Sequence, residues 1–124
     1  MAPNPNRYPE QRMYVCITMD VIDADAQAAF WAQAMPFDDI AEFGHYRVLS
    51  DSTGRVPRIV LQPVPEPRAA KNRLHLDLHV DDIDAEIARL EALGATRRQR
   101  FAEYGAEWEL MVDPEGNEFC VCRY

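Results

Sequence analysis

Histidine and carboxylate side chains alternate with leucines in the stretch LHLDLHV, residues 74–80. A β-strand directs successive side chains to opposite faces. The alternation therefore predicts a strand that carries His75, Asp77 and His79 on one face and packs its leucines against a helix with the other. Imidazole titrates near neutral pH, which makes His75 a candidate catalytic general acid or base. The alternative is that His75 makes a structural hydrogen bond and that His79 lies at the solvent edge.

The residues after this strand predict the helix that supports it. Asp81 or Asp82 can cap the helix N-terminus, because a short carboxylate accepts hydrogen bonds from the first free backbone amides. Apolar residues then recur at helical spacing as far as Gly94, which favours a left-handed helix end. The helix covers the leucine face of the strand, so the polar face is left to line a pocket.

The same strand-then-helix pattern occurs earlier in the chain. A shift of about 59 residues places Cys16 on His75 and continues through the following helix. The turn at residues 51–55 matches the turn at 113–117, and Leu61-Gln62 then lies on Phe119-Cys120. Agreement in the order of the elements makes this an internal repeat. Each half predicts a β-α-β-β-β module, and neither module of about 55 residues buries its sheet alone.

The predicted boundaries follow from this repeat. Residues 1–12 form a flexible N-terminal arm, and residues 13–124 form one α+β domain, with module one at 13–63, a proline-rich linker at 64–72 and module two at 73–124. The predicted strands are 13–21, 40–43, 45–50, 58–63, 74–80, 96–101, 107–112 and 118–122; the predicted helices are 23–35 and 83–93.

Composition limits the classes of function. The chain has 124 residues, 48% of them hydrophobic and 10% aromatic, which suits one folded domain. A formal net charge of −8 argues against nucleic acid or an anionic membrane as a partner. No apolar run approaches the roughly 20 residues of a membrane span. The N-terminus lacks the apolar core of a signal peptide, so the three cysteines are expected to be reduced thiols in the cytoplasm.

Three stretches resemble the glyoxalase-like domains of the vicinal oxygen chelate (glyoxalase, bleomycin resistance and dioxygenase) superfamily. They are HLDLHVDDIDAEIARLEALGA at 75–95, DPEGNEFCV at 113–121 and DADAQAAFW at 23–31. The resemblance covers nearly all of the chain after the N-terminal arm. It implies two tandem β-α-β-β-β modules that form a partly open, eight-stranded, barrel-like sheet around a cleft, with the helices outside. It also implies a homodimer, since relatives often pair.

In the metal-dependent relatives, four ligands come from the first and last strands of the two modules. The resemblance places those positions at Cys16, Gln62, His75 and Cys120. Cys16 stands where histidine or glutamine is usual, and Cys120 stands where glutamate is usual. The loss of that glutamate argues against the family's usual divalent metal site and predicts a cleft without a cofactor. Two thiolates and an imidazole would suit zinc, which is the alternative; free cysteines are also common as buried core residues.

Strand alternation by itself predicts which side chains face the cleft. The ligand-binding residues predicted in this way are Cys16, Thr18, Gln62, His75, Asp77, His79, Glu118 and Cys120, and Trp108 is added as an aromatic platform for a flat ligand.

Trp108 and its repeat counterpart Tyr46 could instead be core residues, so both placements stay open. At least one of Asp77 and Glu118 is expected to have a raised pKa or a salt-bridge partner, with Arg47 or Arg73 as possible partners. The basic run at 97–100 predicts a solvated strand edge, with anion binding as the alternative.

Two functions from different classes remain open at this point. The first is a metal-independent protein that binds a small aromatic or amphipathic molecule in the cleft, as resistance members of the family do. The second is a metal-dependent lyase, isomerase or dioxygenase in which His75, with a soft metal, acts on a small oxygenated substrate. The fold does not choose between them, because one architecture hosts several chemistries.

Overall fold

The computed structural model describes residues 16–123, so the predicted arm at 1–12 and the first residues of the first strand lie outside the described part. The elements in chain order are β1 (Cys16–Val21), α1 (Ala24–Ala34), β2 (Asp39–Phe43), β3 (Tyr46–Ser50), β4 (Arg58–Pro63), β5 (Leu76–His79), α2 (Ile83–Leu93), β6 (Thr96–Glu103), β7 (Ala106–Val112) and β8 (Glu118–Arg123).

The strands form two four-stranded mixed sheets with the same topology. Their orders are β1-β4-β3-β2 and β5-β8-β7-β6, and in each sheet the first and last strands of a module run parallel while the remaining pairs are antiparallel. The helix and the two strands that follow it connect the parallel strands of each module. The prediction of an α+β chain with two β-α-β-β-β modules is confirmed, and the two sheets do not close into a barrel.

Both helices begin at an aspartate in an extended conformation. The Asp23 carboxylate accepts from the Ala26 amide, and the Asp82 carboxylate accepts from the Ala85 amide, each at 3.0 Å. The N-cap of α2 is therefore Asp82 rather than Asp81. Helix α2 ends at Gly94, whose φ of 117° is unfavourable for a residue with a Cβ atom. Within the described residues, neither helix is long and apolar enough to cross a membrane.

Matching aspartate turns precede the last strand of each module. Asp51 accepts from the backbone amides of Thr53 and Arg55, and Asp113 accepts from those of Glu115 and Asn117. This geometry supports the predicted correspondence of the two turns. Strand β8 then begins directly after its turn, at Glu118, whereas β4 begins only at Arg58. Module one therefore contains two additional residues between the turn and the last strand.

The two additional residues change how the modules align. In module one Thr18 pairs with Val60, and in module two Asp77 pairs with Cys120. With Cys16 placed on His75, Val60 is thus the counterpart of Cys120, and Gln62 is the counterpart of Cys122. The expected match of Leu61-Gln62 with Phe119-Cys120 is wrong by two positions, because it implies four additional residues after the turn of module one where the structure has two.

A single hydrophobic core joins the modules. Trp31 of α1 is fully buried, and its ring meets that of Phe119 of β8 at a centroid distance of 5.2 Å. The indole Nε1–H of Trp31 donates to the Asp113 carboxylate at 3.1 Å. Glu115 accepts from the amides of Ile22 and Asp23 at 2.6 and 2.8 Å. The aspartate turn of module two thus holds the start of α1 in module one.

The predicted basic strand edge is partly confirmed. Strand β6 is an edge strand of its sheet, as the basic run suggested. However, Arg97 and Arg100 each lie 3.0 Å from a carboxylate oxygen of Glu109, which is only 2% exposed. Arg100 also contacts Asp84 of α2 at 2.8 Å. Two of the arginines therefore neutralise a buried carboxylate, which the sequence pattern did not indicate.

Candidate functional site

A cavity of about 350 Å³ opens on the face of the second sheet opposite α2. The alternation of β5 and β8 puts their polar residues there, because Leu76, Leu78, Phe119 and Val121 pack into the core on the other side. The cavity is lined by Lys71, Asn72, His75, Asp77, Phe101, Trp108, Leu110, Glu118, Cys120 and Cys122. Five predicted cleft residues, His75, Asp77, Trp108, Glu118 and Cys120, are brought together here.

His75, Asp77 and Cys120 form one cluster of polar groups in the cavity, with an imidazole nitrogen, a carboxylate oxygen and a sulfur within 4.8 Å of one another. His75 Nδ1 lies 3.0 Å from Asp77 Oδ1, and both side chains are about 40% exposed (41% and 39%). Asp77 is the register partner of Cys120, which is 6% exposed. Burial, together with the charge of Asp77 and a hydrogen bond to it, raises the pKa of the Cys120 thiol to about 12. Without a bound cation, this cysteine therefore keeps its proton at neutral pH.

His79 continues the same row of side chains at the end of β5. It pairs in register with Cys122, and potential ligand atoms of Asp77, His79 and Cys122 lie within 4.8 Å of one another. His79 does not line the 350 Å³ cavity, although Cys122 does. The predicted site residue His79 is thus a neighbour of the cavity rather than part of its wall.

Trp108 forms an aromatic wall with Phe101. The two rings stack at a centroid distance of 5.5 Å with an interplanar angle of 14°, and both line the cavity. Trp108 therefore lies on the cleft side of its strand. Its counterpart Tyr46 is 37% exposed, and its ring lies 6.4 Å from that of Phe43. Tyr46 is not part of the core either. It lines neither this cavity nor the larger cavity of about 560 Å³ described next.

A second cavity of about 560 Å³ adjoins the first. It lies between the edge strand β1 and the start of β5, and the linker residues Val64, Pro67 and Arg68 form one of its sides. Asn72, His75 and Glu118 line both cavities, so we describe the two together as the groove.

Two residues that line the larger cavity bear on the sequence predictions, namely Thr18 and Leu74. Thr18 of β1 lines it, as predicted for a cleft residue. Leu74 also lines it and is 89% exposed, so the expectation that Leu74 packs under a helix is wrong. The reason is that β5 begins only at Leu76, which leaves Leu74 in the chain segment that enters the strand.

Glu118 forms hydrogen bonds with the linker at residues 64–72. Its Oε1 accepts from Nη2 of Arg68 at 2.7 Å and from the backbone amide of Asn72 at 2.9 Å. The Arg68 guanidinium and the Asn72 amide lower the pKa of the Glu118 carboxyl. A salt-bridge partner was expected for Glu118, but it is Arg68 rather than Arg47, which contacts Asp25 at 2.8 Å.

Replacing Glu118 by Gln should make stability less dependent on pH. The lowered pKa of folded Glu118 means that its ionised form stabilises the fold above the unfolded pKa, which is about 4.3. This contribution is lost as the pH falls through the folded pKa. Urea unfolding of both proteins between about pH 7 and pH 3 should therefore show a free-energy difference that shrinks on acidification. A difference that is constant with pH would contradict the role of the Arg68 contact.

The four ligand positions implied by the resemblance do not fit one metal ion. Cys16 is exposed, and its register partner is Arg58, whereas Gln62 pairs with Asp20. Cys16 and Gln62 are therefore four residues apart along their strands, or about 13 Å. Neither residue lines either part of the groove. A cysteine and a glutamine side chain do not span that separation to share an ion, so no step of a reaction is assigned to such a metal.

The architecture and the groove define a glyoxalase-type protein, and comparison with known proteins agrees. A family model described as a glyoxalase-like domain matches residues 16–122. This chain therefore belongs to the glyoxalase-like domain family. Among curated proteins, none matches the chain.

Solved structures support the same fold at low sequence identity. An enzyme of the glyoxalase/bleomycin resistance protein/dioxygenase family from Burkholderia phytofirmans PsJN is 20% identical, with a TM-score of 0.71 over 87% of this chain and 95% of that one. The genomically encoded fosfomycin resistance protein FosX from Listeria monocytogenes is 14% identical, with a TM-score of 0.73 over 92% and 94%. TioX from Micromonospora sp. ML1 is 18% identical, with a TM-score of 0.62 over 90% and 98%.

Proposed function

We propose that the protein binds a small aromatic or amphipathic molecule in the groove, without a metal at the four family ligand positions. The observation that carries this proposal is the stacked Phe101–Trp108 pair, which lines a cavity adjoining a larger one. Aromatic walls bind flat ligands through apolar burial and offset stacking.

The polar residues of the groove would determine how the ligand is oriented. The apolar residues Val64, Pro67 and Leu74 line the larger cavity, whereas Asp77 and Lys71 line the cavity with the aromatic pair. A ligand with an apolar body and a polar substituent would place the substituent near these charged groups. Such pockets, mostly apolar with a few placed polar groups, are typical of small-molecule sites.

Binding of a planar aromatic dye tests the proposal. Anilinonaphthalene sulfonate and a panel of flat aromatic compounds would be titrated by calorimetry into the wild type and into Trp108→Leu. We expect saturable binding by the wild type and an affinity at least about tenfold lower for the variant, which corresponds to about 1.4 kcal/mol. Tyr46→Leu changes the matched position of module one and should bind like the wild type. Equal losses in both variants, or no binding by the wild type, would contradict the proposal.

A second candidate function rests on the His75–Asp77 contact. A carboxylate 3.0 Å from Nδ1 can orient an imidazole, and His75 lies where both cavities meet. The corresponding activity would be that of a lyase, isomerase or dioxygenase on a small oxygenated molecule. If it is correct, His75→Ala would abolish turnover of a substrate that the groove still binds; unchanged turnover would contradict it.

The homodimer implied by the resemblance and the cytoplasmic location expected from the sequence stay predictions. Light scattering coupled to size-exclusion chromatography tests the first of these directly. A mass twice that of the 14.2 kDa chain is expected, and a monomer at all concentrations would contradict the dimer.

A further inference from the structure

The two cavities of the groove differ in the residues that line them. The smaller, of about 350 Å³, contains the stacked rings of Phe101 and Trp108, whereas no phenylalanine, tyrosine or tryptophan of the described residues lines the larger one, of about 560 Å³. Each volume lies within the range of about 300–1,000 Å³ that is usual for small-molecule pockets. We propose that the ligand has two parts, a flat aromatic group in the smaller cavity and an apolar chain in the larger one. This inference rests on the proposed function and specifies its class of ligand.

Leu74 points to an apolar chain in the larger cavity. It lines this cavity together with Val64 and Pro67, and it is 89% exposed. An apolar side chain contributes free energy only when its surface leaves water. Three apolar residues around one cavity form a patch, which distinguishes them from isolated exposed hydrophobic residues. A chain of methylene groups lying against Leu74 would bury the surface of this patch together with its own.

The charged residues of the larger cavity argue against a chain that ends in a carboxylate. Glu115 accepts hydrogen bonds from two backbone amides just before α1, and Glu118 is paired with Arg68. The other carboxylates of the lining are those of Asp20 and Glu66. These would repel an anionic chain end, since like charges in the same cavity raise each other's free energy. The chain is therefore expected to end in an uncharged group.

A polar link between the two parts suits the residues that the cavities share. Asn72, His75 and Glu118 line both cavities, so a ligand that occupies both passes these residues. Nδ1 of His75 lies 3.0 Å from Oδ1 of Asp77. When Nδ1 of the neutral ring donates to this carboxylate, Nε2 is an acceptor, and the Asn72 side chain contributes an amide donor. A secondary amide, which both donates and accepts, would match this pair of groups.

The test is a series of N-alkyl-2-naphthamides with chains from methyl to hexyl, titrated into the wild type by calorimetry. Full burial of one methylene corresponds to about a fourfold gain in affinity. We expect the affinity to rise about two- to fourfold with each added methylene, because the groove is open to solvent on one side. The heat capacity of binding should become more negative along the series. A hexyl compound with a carboxylate at the chain end should bind more weakly than its uncharged counterpart.

Variants at the two ends of the groove separate the two parts of the ligand. Leu74→Ser should remove at least about tenfold of the gain from methyl to hexyl and should leave the affinity for the methyl compound unchanged. Trp108→Leu should weaken every member by the same factor and keep the gain per methylene. The matched control is Ile40→Ser, because Ile40 is apolar and 47% exposed but lines neither cavity. It should bind every member like the wild type.

The outcomes distinguish this inference from the proposed function. Trp108-dependent binding that does not strengthen with chain length would overturn the inference and leave the proposed function standing. Failure of every member to bind, including the methyl compound, would overturn both. An unchanged gain per methylene in folded Leu74→Ser would also overturn the inference. So would a smaller mass of Leu74→Ser than of the wild type in light scattering, because Leu74 would then be covered by a second copy of the chain.

Discussion

Replacing Asp113 by Ala should destabilise the protein by about 3–5 kcal/mol. Asp113 is 2% exposed, and its carboxylate accepts from Gln27 Nε2 at 2.7 Å and from Trp31 Nε1 at 3.1 Å. It also accepts from the side chain and backbone of Asn117. Removing it leaves several buried donors without an acceptor, and each such donor costs about 1–3 kcal/mol. Urea unfolding monitored by circular dichroism measures the loss.

The matched control for Asp113→Ala is Asp51→Ala. Asp51 occupies the same place in the turn of module one, but its hydrogen bonds go to Thr53 and Arg55 of its own turn. Its loss should loosen that turn without releasing a helix of the other module. A smaller loss of stability is therefore expected than for Asp113→Ala. Equal losses in the free energy of unfolding would contradict this account, because they would mean that the hydrogen bonds of Asp113 to α1 add no stability beyond that of the turn itself.

Replacing Trp31 by Ala should cost a comparable amount, about 3–5 kcal/mol. Its side chain is fully buried, and its ring meets Phe30 and Phe119 at centroid distances of 5.1 and 5.2 Å in edge-to-face geometry. Alanine would leave a large cavity between the two modules and would remove one donor from Asp113. Thermal and urea unfolding of the variant should show a lower midpoint.

Leu90→Ala is the control for the loss of core volume. Leu90 is the counterpart of Trp31 by the repeat and is fully buried as well, so its truncation should also destabilise the fold, by about 2–5 kcal/mol. The variants should differ in their coupling to Asp113. Combined with Asp113→Ala, Trp31→Ala should be less than additive, whereas Leu90→Ala should be nearly additive. Additive behaviour of both pairs would contradict the role of the indole hydrogen bond.

Local patterns were sufficient for most of the fold. The alternation of residues 74–80 and the aspartates before both helices are properties of neighbouring residues, and the structure contains the corresponding strand and helices. Alternation along the predicted strands 74–80 and 118–122 placed His75, Asp77 and Cys120 on the cleft side. Their approach to one another follows from the parallel pairing of β5 with β8, which the structure shows.

The contacts that the sequence did not reveal are those between distant or irregular segments. Arg68 lies in the proline-rich linker, where no periodicity indicates a direction, yet it pairs with Glu118. Glu109 alternates with apolar residues as an ordinary exposed position would, and its burial depends on arginines of the neighbouring strand. The predicted correspondence of Gln62 with Cys120 was wrong by two positions. Spacing alone does not fix how many additional residues lie between the turn of module one and β4.

The most direct test of the groove as a ligand site uses the two tryptophans as separate reporters. The chain contains only Trp31 and Trp108, so a nitrogen-15 spectrum contains two indole signals, which Trp108→Leu assigns. Titration with the tightest-binding aromatic compound should shift the Trp108 signal, because that ring lines the groove, and leave the buried Trp31 signal in place. A shift of Trp31 alone, or no shift of Trp108 at saturating ligand, would contradict binding in the groove.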